Sequence, residues 1–327
     1  MRPLRATVPE RAFYHVMSRA LEKRPIFDVL AAEMFRRFLR QVEAFSGVKV
    51  VTYCVMSNHF HILLQVPERQ LISDEEMFRR LERGFSPAAC ARFQDQWNRH
   101  LLQGNTSGLD HLRQGVLQRM FDLSFFMKEL KQRFSTWHNH RHNRKGPVWE
   151  ERFKSTLIEN KPGYLATAAA YIDLNPVRAR LVQDPKDHRF CGYAEAVAGE
   201  EYALDGLREI AVMYGARTDA EWVLGTYRML LFGKGVEKES KPGFSQETVD
   251  NVFAEKGALK PWEQAAQRLR WLTEGAVIGS RAYVEDFRTR MHEKLGLKWS
   301  EGATDSSGSS SFVTLRVPRP DSPSSQT

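Results

Sequence analysis

The stretch Val55-Met56-Ser57-Asn58-His59-Phe60-His61-Ile62-Leu63-Leu64-Gln65-Val66 constrains the fold of this chain more than any other. From His59 onward it reads as a buried strand, and residues 48–55 read as a second strand joined to it by Met56-Ser57-Asn58 as a hairpin. Successive strand side chains point to opposite faces, so His59 and His61 project to one side of a sheet and Phe60 to the other. Two imidazoles side by side on one face can hold a divalent cation. Standing alone, an H-x-H pair is more often two polar residues on the wet face of a half-buried strand than a metal site.

A second segment limits the choice. In Ala168-Ala169-Ala170-Tyr171-Ile172-Asp173-Leu174-Asn175-Pro176-Val177-Arg178, apolar residues from Leu165 to Ile172 recur at helical spacing, and Pro162 stands where a first helical turn tolerates proline. Pro176 disfavours α geometry at Asn175, so the helix should end near there. Tyr171 and Asn175 are four apart and share one helix face, presenting a phenol and an amide together. Taken singly, a helical tyrosine is ordinarily a packing residue, and an asparagine before proline is helix-end punctuation.

These segments, in this order, resemble the small HUH tyrosine transposases, in particular the REP-associated tyrosine transposases. The resemblance lies in His59-Phe60-His61, then Gly146-Pro147-Val148-Trp149-Glu150-Glu151-Arg152-Phe153, then Tyr171-Ile172-Asp173-Leu174-Asn175-Pro176-Val177-Arg178, with Phe13-Tyr14-His15-Val16-Met17-Ser18-Arg19 fitting the family's opening strand. It covers roughly residues 10–195. It implies an α+β fold with a ferredoxin-like core and a mainly antiparallel sheet. It also implies that His59 and His61 bind metal, that Asn175 completes that site, and that Tyr171 is the nucleophile. The family reaction is cleavage and rejoining of single-stranded DNA through a 5′-phosphotyrosine. Imidazoles by themselves favour zinc or another transition metal and a carbonyl oxygen suits magnesium or manganese; the resemblance points to Mg or Mn. Tyr164, seven residues before Tyr171, is a rival on nearly the same helix face, but the spacing to Asn175 selects Tyr171.

The charge of the chain agrees with a polyanionic partner. Its 327 residues carry 48 Lys and Arg against 40 Asp and Glu, a formal net charge of +8. Residues 119–154 hold nine of the basic residues against four acidic ones. Lys128, Lys131 and Arg133 fall on a helix expected over about 116–138, and Trp137, Arg141, Arg144 and Lys145 on a turn after it. Together with Trp149, Arg152, Lys154 and Arg178 they read as a groove for single-stranded or hairpin DNA, with aromatic rings as stacking platforms for bases. His138, His140 and His142, placed in a turn, share no fixed face and point to phosphate contact or solvent rather than to a second metal site. Cys54, Cys90 and Cys191 have neither disulfide nor zinc spacing, no apolar run reaches about 18 residues, and no signal peptide opens the chain. The expectation is a cytoplasmic protein without a membrane span, working as a monomer or homodimer.

The expected organisation is a catalytic domain over residues 1–197 with an insertion at about 71–115, a helical accessory region over 198–296, and a disordered tail over 297–327. Within the accessory region, residues 262–295 have the pattern of two helices around a turn at 275–279, a layout used for reading DNA. The function expected is a metal-dependent single-strand endonuclease and strand transferase acting on hairpin-forming repeats. The alternatives are a catalytically inactive repeat-DNA-binding protein and a metal-dependent hydrolase of small phosphoesters.

Overall fold

A computed structural model describes residues 10–236 and 242–259, together with the backbone of 277–279, 304–305 and 313–315. The chain divides into two compact units, Met1–Leu259 and Lys260–Thr327. The first unit begins with β1 (Ala12–Arg19), α1 (Val29–Ser46), β2 (Lys49–Val55) and β3 (His59–Val66). Three helices follow, α2 (Asp74–Gly84), α3 (Pro87–Leu102) and α4 (Thr106–Leu117), then α5 (Leu123–Arg141) and β4 (Lys154–Ile158). The tyrosine helix α6 (Pro162–Asp173) and the single turn α7 (Asn175–Arg178) lead into α8 (Gly192–Val197), α9 (Glu201–Ala211), α10 (Ala220–Lys234) and α11 (Gln246–Ala254).

The sheet order is β2-β3-β1-β4 with every neighbouring pair antiparallel. With α1 and α5 as its two crossover helices, the βαββαβ core is ferredoxin-like, an α+β architecture, as the sequence led us to expect. The central strands are apolar on both faces because both faces are covered. One face carries Tyr14, Val16, Tyr53, Phe60 and Ile62 and packs on α1 and α5 through Phe35, Leu39, Phe126, Leu130 and Phe134. The other face carries Phe13, Cys54 and Leu63 and packs on Leu165, Ala169 and Ile172 of α6, and on α8 to α11 behind it. Helices α2 to α4 form a satellite around Phe45, Met77, Trp97 and Met120.

Two differences from the expected organisation have clear causes. Residues 74–117 are almost wholly helical, because Ser86 and Asn105 cap α3 and α4 by accepting from Ala89 N and Gly108 N. Asn105 thus turns a polar loop into a helix start. More consequentially, the compact unit runs to Leu259 rather than to 197. Leu207, Ile210, Tyr227 and Leu231 belong to the same apolar cluster as Leu165 and Ile172 of α6. α9 lies so close to β2 that a Cβ on Gly206 would sit 2.4 Å from the Val50 carbonyl oxygen.

The second face is also tied by a buried polar network. Asp173, fully buried at the end of α6, accepts from Thr52 Oγ1 at 2.8 Å on β2 and from Tyr227 Oη at 2.5 Å on α10. Around the outer edge of β2, Glu195 of α8 is fully buried and receives Arg36 at 3.0 Å and Arg40, both on α1. The edge backbone is closed as well, with Val55 N donating to Phe190 O at 2.9 Å.

In the second unit the described residues are three short strands, β5 (Val277–Gly279), β6 (Thr304–Asp305) and β7 (Val313–Leu315), paired antiparallel in the order β5-β7-β6. They fall in stretches read from sequence as a turn and as a disordered tail; β5 and β7 carry Val-Ile and Val-Thr-Leu runs whose residues favour strands. The two helices expected around 262–295 otherwise lie outside the described residues. Among the described residues no helix is long and apolar enough to cross a membrane.

Two outcomes follow. A chain ending at Gly199 should lose its cooperative thermal transition in calorimetry, because α6 and β2 would lose the α9 and α10 side chains they pack against, whereas a chain ending at Leu259 should keep one. Burial pushes the Asp173 carboxyl up to about 7 from 3.8, against hydrogen bonds from Tyr227 and Thr52 that act the other way. The folded state therefore holds this proton more tightly than the unfolded chain does. This contribution lowers stability as pH rises from about 4 to about 7 and levels off above that. Asp173→Asn should flatten that stretch of the melting-temperature profile.

Candidate functional site

The site is built where the α6 layer stops covering the sheet. His59 and His61 stand at the start of β3, on the face opposite Phe60, as the strand period requires. Arg19 and Met17 of β1 lie directly across from His59 and His61, so they share that face. Lys154 of the edge strand β4 pairs with Met17 and lies on it too. His15, two residues further along β1, is the diagonal neighbour of His61 on the same side.

The three imidazoles form a cluster. The His59 and His61 rings are 5.1 Å apart and nearly perpendicular, and the His15 and His61 rings are stacked at 5.1 Å. His15 Nε2 lies 2.9 Å from His61 Nδ1, and His59 Nδ1 lies 2.7 Å from Asn58 Oδ1. Burial lowers the pKa of all three. For His61, burial together with His15, His59 and the Arg19 charge takes it down to about 3. At neutral pH these are uncharged rings with a lone pair to offer, which is the form that binds a metal.

α6 brings in the phenol. Tyr171 is 43% exposed, and its ring lies edge-on to His61 at 5.6 Å and to His15 at 5.7 Å. α6 ends at Asp173, near where Pro176 was expected to end it, but Asn175 itself keeps helical geometry and opens the single turn α7. Asn175 Nδ2 donates to the Tyr171 carbonyl at 2.8 Å and to the Ile172 carbonyl at 3.2 Å, an arrangement that leaves its Oδ1 as the outward atom. The Arg178 guanidinium lies over the Tyr171 ring at 5.3 Å. Tyr164 is exposed on the same helix, and its ring makes no contact with the histidines.

His15 was missed by the sequence reading. Its signal was available in parity: in an antiparallel pair with β3, the odd residues of β1 share the face of His59 and His61.

The donor chemistry fits a divalent cation. His59 and His61 each have Nδ1 engaged, their Nε2 atoms have no hydrogen-bond partner among the described residues, and Asn175 keeps a carbonyl oxygen. Among the described residues no group of three or more His, Cys, Asp or Glu side chains is arranged to hold a metal ion. A cation here would draw on two imidazoles, one amide oxygen and ligands from outside the chain.

The expected DNA groove is placed differently. α5 packs on the face of the sheet away from the histidines, so Lys128, Lys131, Arg133, Trp137 and Arg141 belong to the opposite layer. α5 runs through Arg141, and the supposed turn at Trp137 to Arg141 is its last turns, favoured by basic residues at a helix C-terminus. His138 and His142 are consequently one turn apart with rings 4.5 Å apart, and His138 is buried.

Several of these groups hold structure. Arg133 donates to the Gly84 carbonyl at 2.6 Å and to Glu129 at 2.9 Å, and Arg141 pairs with Asp28 at 2.8 Å. Lys131 donates to the Glu151 carbonyl at 2.8 Å, and Arg144 to the Pro147 carbonyl at 3.1 Å. Trp149 packs against Phe27, Phe60 and Phe134 and donates to Ser135 Oγ at 2.8 Å, so it is an anchor rather than a stacking platform. Lys128, Lys145 and Arg152 are exposed, and Lys154 and Arg178 border the site.

Comparison with known proteins bears on the histidine half of the site. Residues 10–77 match the family described as IS200-like transposases, a segment that covers His15, His59 and His61 and stops before Tyr171. The match agrees with the resemblance read from the sequence and supports a transposase role. No curated protein matches the chain. A solved structure of a REP-associated tyrosine transposase bound to a REP hairpin is similar at 17% identity, covering 61% of this chain and 87% of that one with a TM-score of 0.39.

The arginine assignments can be separated experimentally. Arg133→Ala should cost about 1–3 kcal/mol in denaturant unfolding, because the carbonyl of buried Gly84 is left without its donor, while Glu129 keeps Arg119. Arg178→Ala, which removes a half-exposed group with no carboxylate partner among the described residues, should leave stability within about 0.5 kcal/mol.

Proposed function

We propose that the chain is a metal-dependent single-strand DNA endonuclease and strand transferase that acts on hairpin-forming repeats through a 5′-phosphotyrosine. The observation that carries this reading is the meeting of an exposed phenol with uncharged imidazoles at the open end of the sheet, Tyr171 against His61. A tyrosine in contact with neutral histidines in a cationic setting suits attack on a phosphodiester better than it suits packing.

In the proposed step the Tyr171 oxygen bonds to phosphorus as the bond to the 3′ oxygen breaks. The phenol proton leaves to solvent, and the released 3′ oxygen takes up a proton to become a hydroxyl. One phosphoester replaces another, so rejoining needs no nucleotide cofactor. His59, His61 and Asn175 would hold Mg²⁺ or Mn²⁺, which neutralises charge on the scissile phosphate and makes phosphorus more electrophilic. Arg178 steadies the Tyr171 ring and lends positive charge beside the attacking oxygen. Lys154 and Arg19 extend that charge along the sheet face where the strand would lie. The duplex stem would be read through its backbone and shape, with the single strand entering at β4.

The test uses single-stranded oligonucleotides carrying a hairpin stem with randomised flanks, incubated with Mg²⁺ or Mn²⁺. Wild-type protein should form a covalent adduct that survives denaturing electrophoresis. Tyr171→Phe should bind the same selected hairpins and form none, and Tyr164→Phe should react normally. His59→Ala and His61→Ala should abolish the adduct while the melting temperature changes by only about 5 °C or less. An adduct of undiminished yield with Tyr171→Phe would sink this reading, and hairpin binding without any adduct in the wild type would leave a DNA-binding protein.

A further inference from the structure

Two features of the imidazole cluster are not used by the proposed chemistry: His15 itself, and the identity of the nitrogen that each of the other histidines leaves free. The Asn58 amide settles the second point for His59. Its Nδ2 donates to the Lys23 carbonyl at 3.0 Å, so its Oδ1 faces His59 Nδ1 at 2.7 Å and must accept from it. His59 therefore carries its proton on Nδ1 and a lone pair on Nε2. His61 has the same atom engaged, with Nδ1 at 2.9 Å from His15 Nε2. Two N–H groups cannot face each other at that distance, so one ring donates and the other accepts.

We propose that His15 is a positioning residue: its Nε2 accepts the Nδ1–H of His61 and holds His61 in the tautomer whose lone pair is on Nε2, matching His59. The inference rests on the metal-site reading above and adds a residue that supports the ligands without being one. A ligating imidazole that hands its other N–H to an acceptor is fixed in orientation and made more basic, and loss of such a partner typically weakens metal binding 10–100-fold. The reverse arrangement, with His15 donating, would put the proton of His61 on Nε2 and leave the ring no lone pair for a cation. The His15 ring also contacts the Tyr171 ring at 5.7 Å, so one side chain sets both the imidazole that would bind metal and the phenol beside it. β1 is well suited to the task. His15 stands between the buried Tyr14 and Val16 on a central strand paired on both sides, which leaves its backbone little freedom.

Three full-length variants separate this role from packing. His15→Phe keeps a ring against His61 and Tyr171 but removes the acceptor; His15→Gln places an amide oxygen near the position of Nε2; His61→Gln assigns the His61 signals. Long-range 15N–1H correlation spectra of 15N-histidine-labelled protein, recorded without metal, report the tautomer, and titration calorimetry with Mn²⁺ alone reports affinity. Wild-type His61 should be protonated on Nδ1. His15→Phe should move that proton to Nε2 and weaken Mn²⁺ about 10–100-fold at an unchanged melting temperature. His15→Gln should restore both readouts. Wild-type His61 protonated on Nε2, or Mn²⁺ affinity unaltered in His15→Phe, would overturn the proposal. Neither readout involves DNA, so failure of strand cleavage with both results intact would count against the nuclease reading alone.

Discussion

The pleat of β3 is the constraint on which the rest of this molecule depends. Its two-residue period sends Phe60, Ile62 and Leu64 into the core beneath α1 and α5, and His61, Leu63 and Gln65 to the other side. Because both faces of the strand are buried, a one-residue slip would turn Phe60 out and drive imidazoles against Phe35 and Phe134. The register is therefore fixed by hydrophobic burial, and the positions of His59 and His61 come as a consequence. The same register with β1 brings His15 and Arg19 onto the functional face. Burying imidazoles is costly unless their nitrogens are paired, and here the pairing is largely among the site residues themselves and Asn58.

The second layer exists to hold one helix. Tyr171 and Asp173 are two residues apart on α6, which turns one outward and the other inward. Asp173 is fastened to Thr52 of the sheet and Tyr227 of α10, so the polar contact inside fixes the rotation that presents the phenol outside. This explains why the compact unit extends to Leu259. Leu165, Ala169 and Ile172 share one apolar cluster with the sheet on one side and with α8 to α11 behind them, so α6 is held from both sides.

The four strands of the main sheet, α1, the histidine pair and the tyrosine helix were legible in the sequence because each rests on a local signal: alternation, helical spacing, or a proline. What was not legible depends on contacts distant in sequence. Nothing near Leu207 or Tyr227 indicates that they pack on α6, so residues 198–259 read as an accessory region. Phe134, Trp137 and Trp149 lie among basic residues and resemble stacking platforms, yet Phe134 is fully buried and Trp149 is bonded to Ser135. Composition cannot distinguish a ring that faces a base from one that faces a core. α5 was ended too early because Trp137-His138-Asn139-His140 contains only indifferent helix formers, and packing rather than propensity carries the helix through them. His15 escaped notice because a single histidine on a strand becomes informative only once its partner strand and register are known.

The positive charge of the chain takes its meaning from which arginines are already engaged. Arg36 and Arg40 are paired with Glu195, Arg189 with Glu33, and Arg228 with Asp184 at 2.8 Å, all in low-exposure positions where they tie α1 and α10 to α8 and to the segment leading into it. Removing either partner of such a pair would leave a charge buried without compensation, so these residues serve the fold. Arg133 and Arg141 are likewise held by Glu129 and Asp28. Arg19 and Arg178 have no carboxylate within ion-pair distance among the described residues, and both border the histidines and Tyr171. Arg178 is half-buried, and burial lowers its pKa, so its charge is maintained at a cost that no protein anion offsets. A site whose own groups are neutral imidazoles, an amide, a phenol and two uncompensated arginines has a deficit of negative charge. A phosphate backbone lying across it would supply the missing anion.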